Sequence, residues 1–354
     1  MGHYSAITGW GMKVPDKVLT NADLERMVDT SDEWITSRTG IKERHVISSG
    51  EKTSTLAIAA ARQALERAGL EGKDLGLIIV ATVCPDYRFP STANLVQHAL
   101  GAHCGAFDMQ AACSGFLYGV SVAHQFIANG SAKHALIIGV EVLSQVVDFK
   151  DRSTCVLFGD GAGAMVLSAS DEPGGLLGFT IGSDGARPEL LWIPTGGSAE
   201  PATEETIRER RNYVQMNGSE VFKFATRIMG TAMEEALNNA GMTAADMDLF
   251  IPHQANLRII EAASKRLNLP AEKVFVNIEK YGNTSAAAIP IALCEAIDQG
   301  RIFPGAHLGM VAFGAGLTWA AAVVKWTAPL HTLERAREGL PEQTAEPTQP
   351  AHVG

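Results

Sequence analysis

Cysteine, histidine and asparagine side chains in three segments of this 354-residue chain have the chemical types needed for nucleophilic chemistry. In AACSGF (111–116), Cys113 stands just before a predicted helix, where the unpaired N–H groups of the first turn lower the pKa of a thiol. A thiolate is the strongest nucleophile among ordinary side chains at neutral pH. We expect Cys113 to be a nucleophile, with a packed core residue as the alternative. The other cysteines are expected to be core residues: Cys84, Cys104, Cys155 and Cys294.

Two polar side chains in the second half of the chain are its candidate partners. His253 in IPHQANLRI (251–259) follows an apolar run, at the end of a predicted strand, where open α/β sheets place ligands. Asn283 in YGNTSAAAIP (281–290) follows a glycine and precedes small residues. Taken singly, His253 could be a structural histidine and Asn283 a helix N-cap. We expect Gln254 and Asn256 to cap the helix that follows His253.

Two glycine-rich stretches need separate interpretations. FGDGAGA (158–164) precedes a predicted strand and lacks both dinucleotide-binding spacing and the lysine of a phosphate-binding loop, so it predicts tight turns. AFGAGLTW (312–319) follows a predicted strand. Its N–H groups could form half of an oxyanion hole, or the stretch could be an ordinary turn.

Apolar runs that alternate with helical patterns must position these residues, and this alternation is typical of a layered α/β fold. The predicted strands are 75–83, 134–142, 162–170, 247–253 and 307–314. The predicted helices are 54–69, 115–130, 220–241, 256–268 and 286–300.

An internal repeat relates the two halves of the chain. Cys113 and Asn283 each start a predicted helix that ends at a glycine 17 residues later, and a strand follows in both cases. DLGLIIV (74–80) similarly resembles DMDLFIP (246–252). The repeat predicts that Asn283 is the counterpart of Cys113, and that both meet His253 at the seam between the halves.

The repeat predicts an N-terminal half at 1–172 and a C-terminal half at 173–327, with a disordered, proline-rich tail at 328–354. With 46 % hydrophobic residues, the chain has material for a large core. Its net charge of −10, from 29 Lys and Arg against 39 Asp and Glu, argues against nucleic-acid binding. Without a signal peptide, a long apolar run or paired cysteine spacing, it is expected to be cytoplasmic, with no membrane partner.

These motifs, together with TNADLERMVDTSDEWITSRTGIKERH (20–45), make residues 4–326 similar to the β-ketoacyl-acyl-carrier-protein synthase III family, the initiating condensing enzymes of bacterial fatty-acid synthesis. The resemblance implies an α/β thiolase-like fold, built from two duplicated βαβαβαββ halves in a layered α-β-α-β-α arrangement. It also implies a homodimer that uses no cofactor and no metal, because a coenzyme A thioester is its substrate.

The resemblance implies a role for each matching residue. Cys113 would be the acyl-accepting nucleophile, with His253 and Asn283 as partners, and the backbone N–H groups of Cys113 and Ala315 would form the oxyanion hole. Phe89 would close a pocket for a short acyl group across the dimer interface. The implied coenzyme A contacts are Trp34 and Arg152 around the adenine, Arg38 and Thr30 on the nucleotide, and Asn256 and Gly218 on the pantetheine.

The implied reaction joins acetyl-CoA, or another short acyl-CoA, to malonyl-acyl carrier protein through an acyl-Cys113 intermediate. Because the carrier protein is acidic and this chain is also acidic, docking requires a local basic patch. The candidates are Arg258, Lys265 and Arg266 on one helix with Lys223 and Arg227 on another, and a solvated helix face is the alternative.

Three rival functions are compatible with parts of this pattern. The order Cys, His, Asn also occurs in papain-like proteases, although their sequence context around the cysteine is absent here. A condensing enzyme or acyltransferase of the same fold in specialised metabolism would use the same Cys113. A carrier-binding relative without activity is disfavoured because all three polar residues are present.

Overall fold

The computed structural model describes residues 4–328, so the predicted tail lies outside the described residues apart from Ala328. The strands are β1 Tyr4–Lys13, β2 Val18–Thr20, β3 Glu43–His45, β4 Leu77–Ala81, β5 Gly105–Met109, β6 His134–Val142, β7 Asp160–Ser170, β8 Gly175–Ser183, β9 Leu191–Trp192, β10 Gln215–Met216, β11 Leu249–Pro252, β12 His307–Gly314 and β13 Thr318–Lys325. The α-helices are α1 Asn21–Glu25, α2 Asp32–Thr39, α3 Thr53–Ala68, α4 Thr92–Ala99, α5 Gly115–Ala128, α6 Arg152–Cys155, α7 Glu204–Arg208, α8 Gly218–Asn239, α9 Leu257–Arg266, α10 Ile278–Tyr281 and α11 Ala288–Asp298.

Two similar groups of strands make up the main sheet. Its order is β11-β12-β13-β8-β1-β7-β6-β4-β5, and one parallel pairing, Ser5 with Gly175, joins the two groups. The first half runs β1-α3-β4-α4-β5-α5-β6-β7, which is the βαβαβαββ pattern. The second half repeats it with a single bridge between Phe250 and Val274 in place of the third strand. The turn at 171–174 separates β7 from β8, while the division at 172/173 stays a prediction.

The helices form three layers around these strands. Helices α5 and α11 are apolar on nearly every face, because strands pack on both sides of them. Helix α3 covers the outer face of the first half, and α8 covers that of the second half with α9 packed beside it. The expected α-β-α-β-α order is therefore present, with the seam between the halves at the central helices.

The glycines of FGDGAGA lie mostly within β7 rather than in tight turns, so that prediction was wrong. A Cβ on Gly163 would lie 2.6 Å from Cβ of Pro290 on α11. These glycines are required because a central helix packs directly against the strand backbone. The close packing brings the start of α11 against the first half.

The repeat is present, but its predicted register was wrong by three residues near the site. Helices α5 and α11 each follow a short 3-10 turn, Ala112–Ser114 and Ser285–Ala287. Each turn opens on a residue with a left-handed backbone, Ala112 at φ 47° and Ser285 at φ 50°. Cys113 therefore corresponds to Ala286, and Asn283 lies before its turn. The 17-residue intervals were misleading because α11 is shorter than α5 by one turn.

Insertions occupy the same place in both halves, between the first strand and the first long helix. Residues 14–52 hold β2, α1, α2 and β3, and residues 184–217 hold β9, α7 and β10. Between residues 4 and 328, no helix has both the length and the apolarity required to cross a lipid bilayer.

Candidate active site

Cys113 lies in the 3-10 turn between β5 and α5, with 8 % of its surface exposed. It borders a cavity of about 440 Å³ between the two halves. The first half and the β9–β10 insertion supply most of the lining, and Ser285, Ala315, Gly316 and Thr318 of the second half complete it. All five cysteines are free thiols, and Cys113 is the one among them that borders this cavity.

Burial dominates the electrostatics of the Cys113 thiol. Its pKa is raised to about 12, chiefly by loss of solvation; the Ser285 hydroxyl lowers this pKa and the nearby Glu141 carboxylate contributes to the rise. The prediction of a thiolate favoured by the helix start was therefore wrong for the resting protein, because desolvation outweighs the first-turn N–H groups. The thiol must lose its proton when it attacks.

The loop between β12 and β13 packs directly against the Cys113 turn. A Cβ on Gly314 would lie 2.6 Å from the backbone nitrogen of Cys113. The Thr318 hydroxyl lies 2.9 Å from the carbonyl oxygen of Ala111 and 3.1 Å from that of Ala315, so it ties the loop to the turn. Cys113 and Ala315, whose backbone N–H groups are proposed to form the oxyanion hole, thus line one cavity.

His253 follows β11 and is 1 % exposed. Its backbone N–H donates to the Val311 carbonyl at 2.8 Å, and its ring packs edge-on against Phe313 with 5.7 Å between ring centroids. Neither ring nitrogen has a hydrogen-bond partner among the described residues. Burial lowers the pKa of His253 to about 3, so the ring is neutral at physiological pH. A buried ring with two unsatisfied nitrogens is unfavourable unless another molecule completes it.

Asn283 is held against the first half of the chain. Its N–H donates to the Leu157 carbonyl at 2.8 Å, and its carbonyl accepts from the Gly159 N–H at 3.0 Å. Its side-chain Oδ1 accepts the Ser285 N–H at 2.8 Å. Asn283 therefore is not the N-cap of α11; the intervening 3-10 turn separates it from the helix.

Cys113 and Asn283 lie where the two halves meet, and His253 is connected to that place through β12. Ser285 lies between Asn283 and Cys113, since its N–H donates to Oδ1 of Asn283 and it lines the same cavity as Cys113. His253 pairs with β12, the strand that ends beside the Cys113 turn. Among residues 4–328, no hydrogen bond joins these three side chains directly.

Sequence reasoning missed two buried polar residues behind the thiol, Ser285 and Glu141. The Ser285 hydroxyl donates to Glu141 at 3.1 Å. Glu141 on β6 is 0 % exposed, and it also accepts from the Val83 N–H at 3.0 Å and the Thr82 hydroxyl at 3.2 Å. A single acid within the apolar run HALIIGVEV was the signal that could have revealed it.

A cationic and aromatic cluster gathers on the insertion of the first half. The Arg152 guanidinium lies 5.2 Å from the centre of the Trp34 ring, and that of Arg38 lies 5.8 Å from it. Arg152 also donates to the Asp29 carbonyl at 2.7 Å. The structure brings together three residues predicted to bind the nucleotide, although Arg152 must move before a base can enter between it and Trp34.

The other predicted coenzyme A residues have varied surroundings. The Thr30 hydroxyl is buried without a hydrogen-bond partner among the described residues. Asn256 caps α9 through the Arg258 N–H and donates to the Arg38 carbonyl at 3.0 Å. Gly218 opens α8 at an exposed position. The prediction for Gln254 was wrong: it is buried and accepts the Asn277 N–H at 3.0 Å instead of capping α9.

Phe89 does not line the cavity in this chain. Its side chain is 87 % exposed, on the loop between β4 and α4. So large an exposed ring, with Tyr87 also exposed beside it, would be covered only by another molecule. A role in the acyl pocket therefore requires a second protomer.

Two of the five predicted docking cations are paired with acids. Arg266 on α9 makes a two-pronged contact with Glu234 on α8, at 2.9 and 3.1 Å. Lys223 pairs with Glu220 at 2.8 Å. These pairs reduce the local positive charge that the sequence alone suggests.

The other three cations are exposed and form no ion pair within residues 4–328. Arg258 stacks over the Phe222 ring at 5.3 Å, which joins the start of α9 to α8. Lys265 and Arg227 extend from the same two helices. The positive surface is therefore smaller than predicted, with Arg258 at the α9 end nearest Arg38.

Together these features describe a duplicated α/β fold with a buried thiol bordering a cavity at the seam between its halves. No group of three or more metal-ligating His, Cys, Asp or Glu side chains occurs within residues 4–328.

Comparisons with known proteins identify the family. The family model for 3-oxoacyl-[acyl-carrier-protein] synthase III matches residues 107–185, and the model for the C-terminal part of that family matches residues 237–326.

Curated and solved relatives extend this match over more than nine-tenths of the chain. Beta-ketoacyl-[acyl-carrier-protein] synthase III of Desulfitobacterium hafniense (strain DSM 10664 / DCB-2) is 56 % identical over 322 residues, covering 91 % of this chain and 97 % of the relative. That of Roseiflexus sp. (strain RS-1) is 54 % identical over 329 residues, covering 93 % and 100 %. The crystal structure of 3-oxoacyl-[acyl-carrier-protein] synthase III from Aquifex aeolicus VF5 is 49 % identical, with a TM-score of 0.84 over 91 % of this chain and 100 % of that one.

This chain belongs to the β-ketoacyl-acyl-carrier-protein synthase III family. Its thiolase-like fold and its enzyme class, predicted from the motifs, are confirmed. The protease interpretation is thereby excluded.

Proposed function

We propose that this chain catalyses the initiating condensation of type II fatty-acid synthesis, with Cys113 as the acyl carrier. The substrates are a short acyl-CoA, with acetyl-CoA expected, and malonyl-acyl carrier protein. The products are a 3-ketoacyl-acyl carrier protein, carbon dioxide and coenzyme A. The observation that carries the assignment of residues is the buried, neutral His253 with two unsatisfied ring nitrogens, at the same seam as a thiol that borders a cavity.

In the first half-reaction, the Cys113 sulfur attacks the thioester carbonyl of the acyl-CoA. A sulfur–carbon bond forms, the bond to the sulfur of coenzyme A breaks, and the thiol proton must leave. The developing negative oxygen is stabilised by the backbone N–H groups of Cys113 and Ala315. The Thr318 hydroxyl supports this pair, because it holds the Ala315 loop on the Cys113 turn.

In the second half-reaction, malonyl-acyl carrier protein replaces coenzyme A and loses carbon dioxide. The resulting enolate oxygen accepts hydrogen bonds from neutral His253 and from the Nδ2 group of Asn283. Such donors contribute about 3–4 kcal/mol each in comparable sites. The enolate carbon attacks the acyl-Cys113 carbonyl, and the sulfur of Cys113 leaves.

Coenzyme A is proposed to bind over the insertion of the first half. Trp34 and Arg152 take the adenine between them once Arg152 rotates outward, with Arg38 and Thr30 on the nucleotide. Asn256 and Gly218 contact the pantetheine that leads to Cys113. No metal or further cofactor is needed, because the thioester itself supplies the activated acyl group.

Phe89 is proposed to close the acyl pocket of a second copy, which makes the enzyme a homodimer. A bulky ring at that position restricts the pocket to acetyl and other short acyl groups. The exposure of Phe89 supports this proposal. The three unpaired cations on α8 and α9 are proposed to dock the acidic carrier protein.

Mass spectrometry of the intact protein after exposure to a panel of acyl-CoAs tests the assignment. We expect one acyl group with acetyl-CoA and none with long-chain acyl-CoAs. Cys113→Ala should abolish labelling, while Cys104→Ala, which removes a thiol outside the cavity, should not. Labelling of the Cys113→Ala protein would refute the assignment of Cys113 as the nucleophile. Acylation without product from malonyl-acyl carrier protein would favour an acyltransferase of specialised metabolism.

A further inference from the structure

The thiol of Cys113 needs a proton acceptor that the residues in its predicted triad do not supply. Burial keeps the thiol protonated, since it raises the pKa of Cys113 to about 12. His253 is a poor acceptor, because burial lowers its pKa to about 3. Asn283 cannot accept a proton at neutral pH. The attack on the thioester therefore requires another group within reach of the sulfur.

A connected pair of polar side chains reaches from the sulfur into the core. Ser285 borders the same cavity as Cys113, and the 3-10 turns that carry the two residues pack against each other. The Ser285 hydroxyl lies 3.1 Å from Oε1 of Glu141, which is fully buried. No cation within residues 4–328 pairs with Glu141; its other partners are the Val83 N–H and the Thr82 hydroxyl. A hydroxyl both donates and accepts, so Ser285 can pass a proton between the two.

We propose that Ser285 and Glu141 form a proton relay that takes the thiol proton of Cys113 as it attacks the acyl-CoA thioester. This proposal rests on the proposed function of Cys113 as nucleophile. In this relay Ser285 is the group next to the reacting sulfur, whereas Glu141 is a positioning residue that acts through Ser285.

The relay accounts for the proton of the Cys113 thiol in both half-reactions. In acylation the S–H bond of Cys113 breaks, the Ser285 oxygen takes that proton, and the Ser285 proton passes to the Glu141 carboxylate. Coenzyme A leaves as a thiolate and takes a proton from solvent. In condensation Cys113 leaves as a thiolate, and the proton returns to it from Glu141 through Ser285. Negative charge thus moves between carboxylate and sulfur without a second buried charge.

The relay makes acylation depend on the ionisation of Glu141. Burial raises the pKa of Glu141 to about 7, and only the ionised carboxylate can accept the proton, so the rate should rise with pH through this value and then level off. The other titratable groups facing this region are the thiols of Cys84 and Cys113, with pKa values raised by burial, and His253. Asp160 on β7 faces Cys84, and burial raises the pKa of its carboxyl as well.

The test measures the pH dependence of Cys113 reactivity between pH 5.5 and 9 in the full-length protein. Iodoacetamide, which has no titratable group in this range, probes the thiol, and single-turnover release of coenzyme A at saturating acetyl-CoA probes acylation. In Glu141→Gln and Ser285→Ala we expect acylation at pH 7.5 to fall about 100-fold. Both rates should lose the inflection near pH 7 and rise continuously with pH. The double variant should be no slower than the single variants, because both break one relay.

Matched control variants distinguish loss of the relay from a general loss of protein stability. Asp160→Asn removes another buried carboxyl, and Ser121→Ala removes a buried hydroxyl that bonds the Leu117 carbonyl; both should keep the inflection. If Glu141→Gln does not fold, Glu141→Asp should retain an inflection with a reduced rate. An unchanged inflection in the pH–rate profile of folded Glu141→Gln would overturn the relay. The proposed function is tested separately by Cys113→Ala, and loss of acylation in that variant would support it.

Discussion

The backbone N–H of Ser285 donates to Oδ1 of Asn283 at 2.8 Å, at the start of the 3-10 turn that precedes α11. This bond fixes the orientation of the Asn283 amide, since its oxygen is the acceptor and its NH₂ group must be on the other side. Asn283 therefore presents donors, not an acceptor, to whatever binds at the seam. An enolate oxygen is the kind of group that such donors stabilise.

Replacing Asn283 by aspartate should separate the two half-reactions. Asn283→Asp keeps an oxygen for the Ser285 N–H but exchanges the donor group for a negative one, which repels an enolate. We expect condensation to fall about 100-fold or more, with acylation of Cys113 little changed. Formation of 3-ketoacyl-acyl carrier protein and release of coenzyme A measure the two steps.

A surface asparagine offers the matched control for that substitution. Asn129 accepts the Ser131 N–H at 2.9 Å in the same two-residue pattern, at the opposite end of α5 from Cys113. Asn129→Asp should leave both half-reactions unchanged. Equal loss of acylation and condensation in Asn283→Asp would instead indicate that Asn283 is needed for the fold of the turn.

Burial of His253 should make the protein less stable in mild acid. Its pKa is lowered from 6.5 to about 3, so between these values the unfolded chain binds a proton that the folded chain does not. This contribution to stability is complete above pH 6.5 and falls as the pH drops, by about 1.4 kcal/mol per pH unit. Urea unfolding at pH 7 and pH 5 should show a smaller loss for His253→Asn than for the natural chain. Identical losses would contradict a neutral, buried ring.

The Trp34 and Arg152 pair should control the affinity for coenzyme A rather than the chemistry. Because stacking of a cation or base on this ring is worth about 1–2 kcal/mol, Trp34→Ala should raise KM for acetyl-CoA about tenfold with kcat nearly constant. Arg26→Ala, which removes an exposed cation just after α1, is the control and should not alter KM. A fall in kcat with constant KM would contradict this role.

Reversing the charge of Arg258 should weaken carrier-protein docking alone. Its guanidinium is exposed and unpaired by acids among the described residues, so Arg258→Glu should raise KM for malonyl-acyl carrier protein and leave acetyl-CoA loading unchanged. The effect should shrink at high salt, because screening weakens surface attraction. Arg62→Glu, on α3 at the outer face of the other half, provides the charge-matched control. Equal loss in both half-reactions would refute the docking role.

Local sequence patterns predicted the fold class and most of the framework. The strands β6 and β12 have the predicted bounds, and α3, α5, α8, α9 and α11 begin and end within about two residues of prediction, because periodicity and terminal glycines are local signals. Strands β1, β5, β8 and β13 of the main sheet were missed, because strand formation depends on packing against neighbouring strands more than on the residues of the strand itself. The three-residue error in the register of the repeat was also not visible in the sequence, because the lengths of α5 and α11 differ by three residues.

The sequence by itself determined which side chains could react: Cys113 before a helix, His253 after a strand and Asn283 in a small-residue turn. The tertiary structure decided their chemical states. Burial, which no local pattern encodes, keeps the thiol protonated and the imidazole neutral, and a contact across 144 positions places Glu141 behind Ser285. Desolvation and long-range contacts depend on what surrounds a residue in space, so they exist only once the two halves have packed together.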